Sequence, residues 1–311
     1  MRQAKESTMA TEFENDSYNT RNVPNTPGCS QGGDPSTVHD AAAISIRQAA
    51  KSLSGDIPKH WYGGEAFASH FMDALSSTFP MGEAFFVRSV MYYRDRIDDP
   101  QLLEDIRGFA GQEGQHSRVH AEHLQLLVDH GYGLLENRNR FVDRIMRWFN
   151  RNQPEASIAV TAALEHLTAI LARQFLTHPE RFTDSMQPEM RALWRWHALE
   201  EAEHKSVAFD VMQYAAKSHR RRVIALVSNT LALSLEVFDR LVYMLYKDGL
   251  LFRREGWAGG WRFLFGEQGF LRGVGADYRA WYRRDFHPDQ IDDRAMIEAN
   301  IVGVLDEFVR T

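Results

Sequence analysis

The chain has a single cysteine, Cys29, which excludes an internal disulfide and any thiolate-built metal cluster and fits a reducing cytoplasm. Long apolar runs are also missing. Residues 223–235 carry no charge, but 13 residues fall short of the roughly 20 that span a bilayer. No apolar core of signal-peptide length stands near the start, so export is not expected. Sustained period-two alternation between turn residues is absent as well, which argues against a β-sheet. Charge of one sign is not in excess enough to matter: 36 basic against 42 acidic residues give a net charge of −6 and no basis for general nucleic-acid binding. The basic run Arg220, Arg221 and Arg222 reads as a solvated helix start.

Glutamate and histidine recur at helical spacing. In WRWHALEEAEHKSVAFD, residues 194–210, Glu201 and His204 are three apart and His197 precedes the glutamate by four, so all three project from one helix face. Glu113 and His116 repeat the pair in GQEGQHSRVH, and His120 extends that face by a turn. Two single glutamates stand on apolar stripes: Glu83 among Phe79, Phe86 and Val90, and Glu165 among Thr161, Thr168, Ala169 and Ala172. A lone buried carboxylate is costly and tends to neutralise itself or find a cation. The order Glu, Glu-x-x-His, Glu, Glu-x-x-His suits two metal ions held inside a four-helix bundle. With no thiolate, this hard oxygen and nitrogen set favours iron or manganese over copper or structural zinc.

Along the chain, residues 1–37 read as a mobile tail and 38–311 as one all-α domain, with a core bundle at 64–218 and a C-terminal helical extension at 219–311. Helices are expected over 38–53; over 64–95, kinked at Pro80; from Asp99 to about 131; over 134–152 as an amphipathic connector; over 154–177; and over 188–218. The extension should hold a helix over 223–247, a Gly/Trp-rich turn region near 256–266, and shorter helices over 273–284 and 289–308. Small Ala169, Ala172 and Ala208 opposite large Phe79, Phe86, Phe109 and Val207 suggest a substrate cavity beside the metals, covered by residues 223–235.

FPMGEAFFVRSV, GQEGQHSRVH, ALEHLTAI and WHALEEAEHKSVAFDV resemble the ferritin-like di-iron carboxylate superfamily, and more narrowly the family of predicted metal-dependent hydrolases. The resemblance implies Glu83, Glu113, His116, Glu165, Glu201 and His204 as ligands to two ions. The run His197, Glu201, His204 is also similar to the arylamine N-oxygenases, which implies His197 as a seventh ligand and leaves His120 to orient a ligand by hydrogen bond. The rest of the chain departs from those enzymes, so their substrate does not transfer. Two irons, or a manganese–iron pair, imply an oxygen-dependent oxidoreductase acting on a small, largely apolar substrate with an external electron donor. A metal-dependent hydrolase is the alternative, and iron storage a third reading. A second copy of the chain is the candidate protein partner.

Overall fold

The computed structural model describes residues 44–48, 53, 56–182 and 184–308. Among these residues the fold is all-α: helices and turns with no strand, and a single isolated bridge between Tyr62 and Met186. Helices α1 (Ala66–Ser76) and α2 (Phe79–Met91) lead into the long α3 (Pro100–Asp129). Asp99 caps α3 by accepting from the amides of Gln101 and Leu102, and the chain leaves through Gly131 at φ +103°. Helices α4 (Leu134–Asn152), α5 (Pro154–Thr177), the single turn α6 (Pro179–Phe182) and α7 (Pro188–His204) follow. Proline at the first turn starts α3, α5 and α7, where its missing N–H costs nothing. Then come α8 (Val207–Ala216), α9 (His219–Lys247), the short α10 (Arg254–Trp257), α11 (Gly260–Phe265) and α12 (Gly275–Ala280), and finally α13 (Arg294–Phe308).

Three expected helices need correcting, and so does the basic run: Arg222, expected to be solvated, is buried, its guanidinium donating to the Trp281 and Arg283 carbonyls. The helix expected over 64–95 is two helices, broken at Ser77 and Thr78, whose hydroxyls donate back to the carbonyls of Ala74 and Leu75. The freed Ser77 carbonyl is bonded by Asn139 at 2.7 Å and Arg240 at 3.2 Å, and Pro80 sits in the first turn of α2 instead of kinking a continuous rod. The helix expected over 188–218 likewise stops at His204, where Lys205 turns away to pair with Asp293 at 2.6 Å. The third concerns residues 38–53. Of these, 44–48 run without helical structure along α3: Ile44 and Ile46 lie against Gly108 and Gly111, Gln112 donates to the Ser45 carbonyl at 2.9 Å, and Arg47 clasps Glu203 at 2.6 and 2.7 Å. Those contacts replace the hydrogen bonds a helix would have made. The expected tail at 1–37, Cys29 included, lies outside the described residues.

A Cβ at Gly108 would come within 2.5 Å of the Ile44 Cβ. Gly108→Ala is therefore expected to overpack this seam by about 1–3 kcal/mol and lift the segment. Faster tryptic cleavage after Arg47 checks it.

Buried apolar side chains form two clusters. One gathers Trp61, Phe67, Leu193, Trp196 and Leu241; the other gathers Phe85, Ile106, Phe109, Ile158, Phe209 and Trp281. Helix α5 alone among the described residues is long and apolar enough to cross a membrane, but 67% of that window is buried and Glu165 interrupts it. Helix α9 packs on α5 and α1.

Candidate metal centre

Four helices bring their acidic and imidazole groups to one place. Glu83 comes from α2, Glu113 and His116 from α3, Glu165 from α5, and His197, Glu201 and His204 from α7; none is more than 4% exposed. Glu113, His116, Glu201 and His204 each offer a ligand atom within 4.8 Å of the others, and so do Glu83, His116 and His197. Glu165 joins through His204, whose Nδ1 is 3.1 Å from its Oε2 while Nε2 is 3.2 Å from Glu113 Oε1. Helical periodicity makes this possible, because the i, i+3 and i, i+4 spacings put each set on the stripe its helix buries.

Electrostatically the cluster is unfinished. Burial, and then mutual repulsion among the carboxylates, pushes Glu83, Glu113 and Glu165 well above the usual carboxylate range. Burial also penalises the charged form of Glu201, but the His197 hydrogen bond and the His197 and His204 rings hold it below its ordinary value. Burial first, and neighbouring imidazoles second, depress His116 and His120 well below theirs, leaving neutral rings suited to metal binding. Within this cluster eight buried atoms have no hydrogen-bond partner: both oxygens of Glu83 and of Glu113, one each of Glu165 and Glu201, His116 Nδ1 and His204 Nε2. At about 1–3 kcal/mol for each unsatisfied group, such a cluster is a heavy destabilisation unless something binds there. The donor set of carboxylate oxygens and neutral imidazoles fits divalent metal ions.

His197 occupies two roles. Its Nε2 lies 3.1 Å from Glu201 Oε1, and its ring stacks on Phe79 at 4.8 Å and 8°. His120 stands one step further out, with Nε2 2.9 Å from His197 Nδ1. Among the expected cavity residues, Phe109 packs edge-on to His204 and is buried with Phe86, Val207 and Ala208 in one cluster. Ala172 belongs to the other cluster, against which Phe79 packs, and Ala169 is buried as well.

Sequence reasoning missed Glu200. Its Oε2 is hydrogen-bonded to His116 Nε2 at 3.0 Å, while Oε1 accepts from Trp196 Nε1 at 3.0 Å and faces Arg47 at 3.5 Å. Burial raises its carboxyl to about 8, partly countered by Arg47. Once ionised, Glu200 can only accept the Nε2–H, which fixes the tautomer that leaves His116 Nδ1 free toward Glu113 and Glu201, each 3.8 Å away. The doublet Glu200–Glu201 was the available signal; Arg47, some 150 residues distant in sequence, left none. Glu200→Ala is expected to weaken metal binding about 10–100-fold, with Glu200→Gln falling between, as measured by chelator competition.

The sequence model of the family described as "Predicted metal-dependent hydrolase" matches residues 45–292. No curated protein and no solved structure matches significantly.

Proposed function

Since the chain belongs to the predicted metal-dependent hydrolases, we propose that Glu83, Glu113, His116, Glu165, Glu201 and His204 hold two divalent ions in a ferritin-like four-helix bundle and that the reaction is hydrolytic. The observation that carries the centre is the set of eight partnerless polar atoms facing one another in the core. Four carboxylates balance the charge of two divalent ions, which offsets the burial and the mutual repulsion that raise Glu83, Glu113 and Glu165. Bound ions would supply an ionised water and a Lewis acid for an ester or phosphate. The protein's share is to fix the ligands: Glu200 orients His116, and His120 orients His197, the proposed seventh ligand.

Closure of the site favours a second reading, oxygen activation at iron. All candidate ligands are at most 4% exposed, and Phe79 and Phe109 pack on His197 and His204, surroundings that admit a small gas more readily than an ester. That chemistry needs an external electron donor and a small apolar substrate.

Manganese-loaded protein should cleave p-nitrophenyl esters or phosphates equally fast with and without oxygen. Absence of such cleavage, together with oxygen uptake and visible absorption in ferrous-loaded protein, would replace hydrolysis by oxygen chemistry. Fewer than two ions per chain would overturn the dimetal centre.

A further inference from the structure

Fourteen of the seventeen large hydrophobic side chains that the described residues expose fall in three segments: α4, α9 and residues 251–265. On α4, Phe141, Ile145 and Trp148 are spaced four and three apart, so they share one face, and each is more than half exposed. On α9, Ile224, Val227, Leu231, Leu235 and Phe238 are exposed along a stretch whose residues 223–235 carry no charge. Phe252 at 92% and Trp261 at 77% stand furthest into solvent. Single exposed apolar residues are ordinary, but a joined set on this scale marks a contact surface.

Contacts between surface residues join the three segments. Arg138 meets Asp239 at 3.0 Å, and the Leu134 amide donates to the Tyr243 hydroxyl at 3.3 Å. At the other end Arg221 meets Glu155, just past α4, at 2.8 Å, so α4 and α9 lie alongside each other in opposite directions. Phe238 then reaches Trp257, with ring centroids 6.4 Å apart, and Trp257 and Gly260 both back onto Phe67 of α1, which anchors the aromatic loop at that edge. Charge is distributed as unevenly as the apolar surface. The whole chain is acidic, yet these segments hold eleven unburied arginines and lysines against five carboxylates, with Arg222 and Arg240 buried. Arg144 lines a shallow recess with Phe141, Ile145 and Trp148, and Arg253 and Arg254 line another with Phe252 and Trp257.

We propose that this face docks on the surface of an anionic lipid bilayer, with Phe141, Trp148, Phe252 and Trp261 entering the headgroup region and the arginines meeting lipid phosphates. Aromatic and aliphatic side chains interleaved with arginine are the composition of helices that lie in the bilayer interface. Arginine suits that position because its stem rests on apolar surface while its head stays with the phosphates. A second copy of the chain fits less well, since a two-fold contact would set this basic face against itself. Nucleic acid fits less well too, because Ile145, Val227, Leu231 and Leu235 offer no ring on which a base could stack. Docking is peripheral: the face lies on the outside of a folded bundle whose core helices stay buried.

Vesicle sedimentation tests the docking without any turnover. The full chain is mixed with vesicles of phosphatidylcholine alone or of an equal mixture with phosphatidylserine, and the bound fraction is measured as lipid and salt are varied. The wild type should bind the anionic vesicles about tenfold or more tightly than the neutral ones, and added salt should weaken that binding. Phe252→Ala with Trp261→Ala should weaken it about tenfold, and so should Arg144→Glu with Arg253→Glu. All four side chains are exposed, and unchanged thermal unfolding checks that both double variants fold. Val302→Ala, at an exposed residue of α13 outside the face, should bind as the wild type does. A wild type that ignores both kinds of vesicle, or binds both alike, overturns the proposal, and so do double variants that bind like the wild type. A dimer that the Phe252 and Trp261 changes dissociate, without vesicle binding, assigns the face to a second copy and overturns it. Binding to single-stranded RNA that the arginine changes abolish, again without vesicle binding, assigns it to nucleic acid with the same result.

Discussion

Glu113→Ala is expected to empty the metal centre while making the metal-free protein more stable. Glu113 Oε1 stands 3.2 Å from His204 and 3.8 Å from His116, and both its oxygens lack a partner, so it faces both Glu-x-x-His pairs at once. In the proposed dimetal centre that position serves both ions. Glu83, by contrast, groups only with His116 and His197. After dialysis against a mild chelator, metal analysis should therefore find no ion in the Glu113 variant, one in Glu83→Ala and one in His204→Ala. His197→Ala should keep both. Without metal the sign reverses: deleting a buried, unsatisfied carboxylate removes a desolvation cost of about 1–3 kcal/mol, which should raise the urea midpoint. A Glu113 variant that retains two ions, or whose metal-free form is less stable than the wild type, would refute this account.

That opposition of stability and function explains which parts of the molecule the sequence revealed. Helical class and the inward face of α7 were legible because Glu201 and His204 lie on a stripe whose neighbours Leu193, Trp194 and Ala198 are apolar, and the structure buries them together. Breaks were less legible. Pro80 marks a helix start and a kink equally well, and the choice was made by Asn139 and Arg240, which bond the Ser77 carbonyl from 62 and 163 residues away. The segment at 44–48 has helix-forming residues, yet tertiary contacts with Gly108, Gly111 and Glu203 overrode that propensity. Glu200 escaped notice for a similar reason: within α7 it meets only Trp196, and His116 and Arg47 reach it from distant parts of the chain.

Metal affinity should climb steeply with pH while the metal-free protein weakens over the same range. Glu83, Glu113 and Glu165 are raised well above their ordinary value of 4.5, so in the metal-free protein they carry protons that bound ions must displace. His116 and His120 are depressed below 6.5 and are already neutral near pH 7, so they release none. Each proton displaced multiplies the apparent binding constant about tenfold per pH unit, or about 1.4 kcal/mol, so displacement of all three would approach a thousandfold. The folding linkage of the same carboxylates has the opposite sign. Their raised folded values contribute stability that is complete below pH 4.5 and is lost as pH rises through those values. The depressed histidines work the other way, adding stability as pH rises toward 6.5, and cease to contribute above it. Above pH 6.5 the gain from the depressed histidines has ended while the carboxylate loss, joined by that of the raised His70 and His287, continues, so the Tm of metal-free protein should fall as pH rises above 6.5 while the metal-loaded Tm holds. The gap between the two Tm values, with a proton count on metal addition, measures the effect directly. A gap that narrows with pH, or metal uptake with no proton release at pH 7, would show that these carboxylates are already ionised without metal.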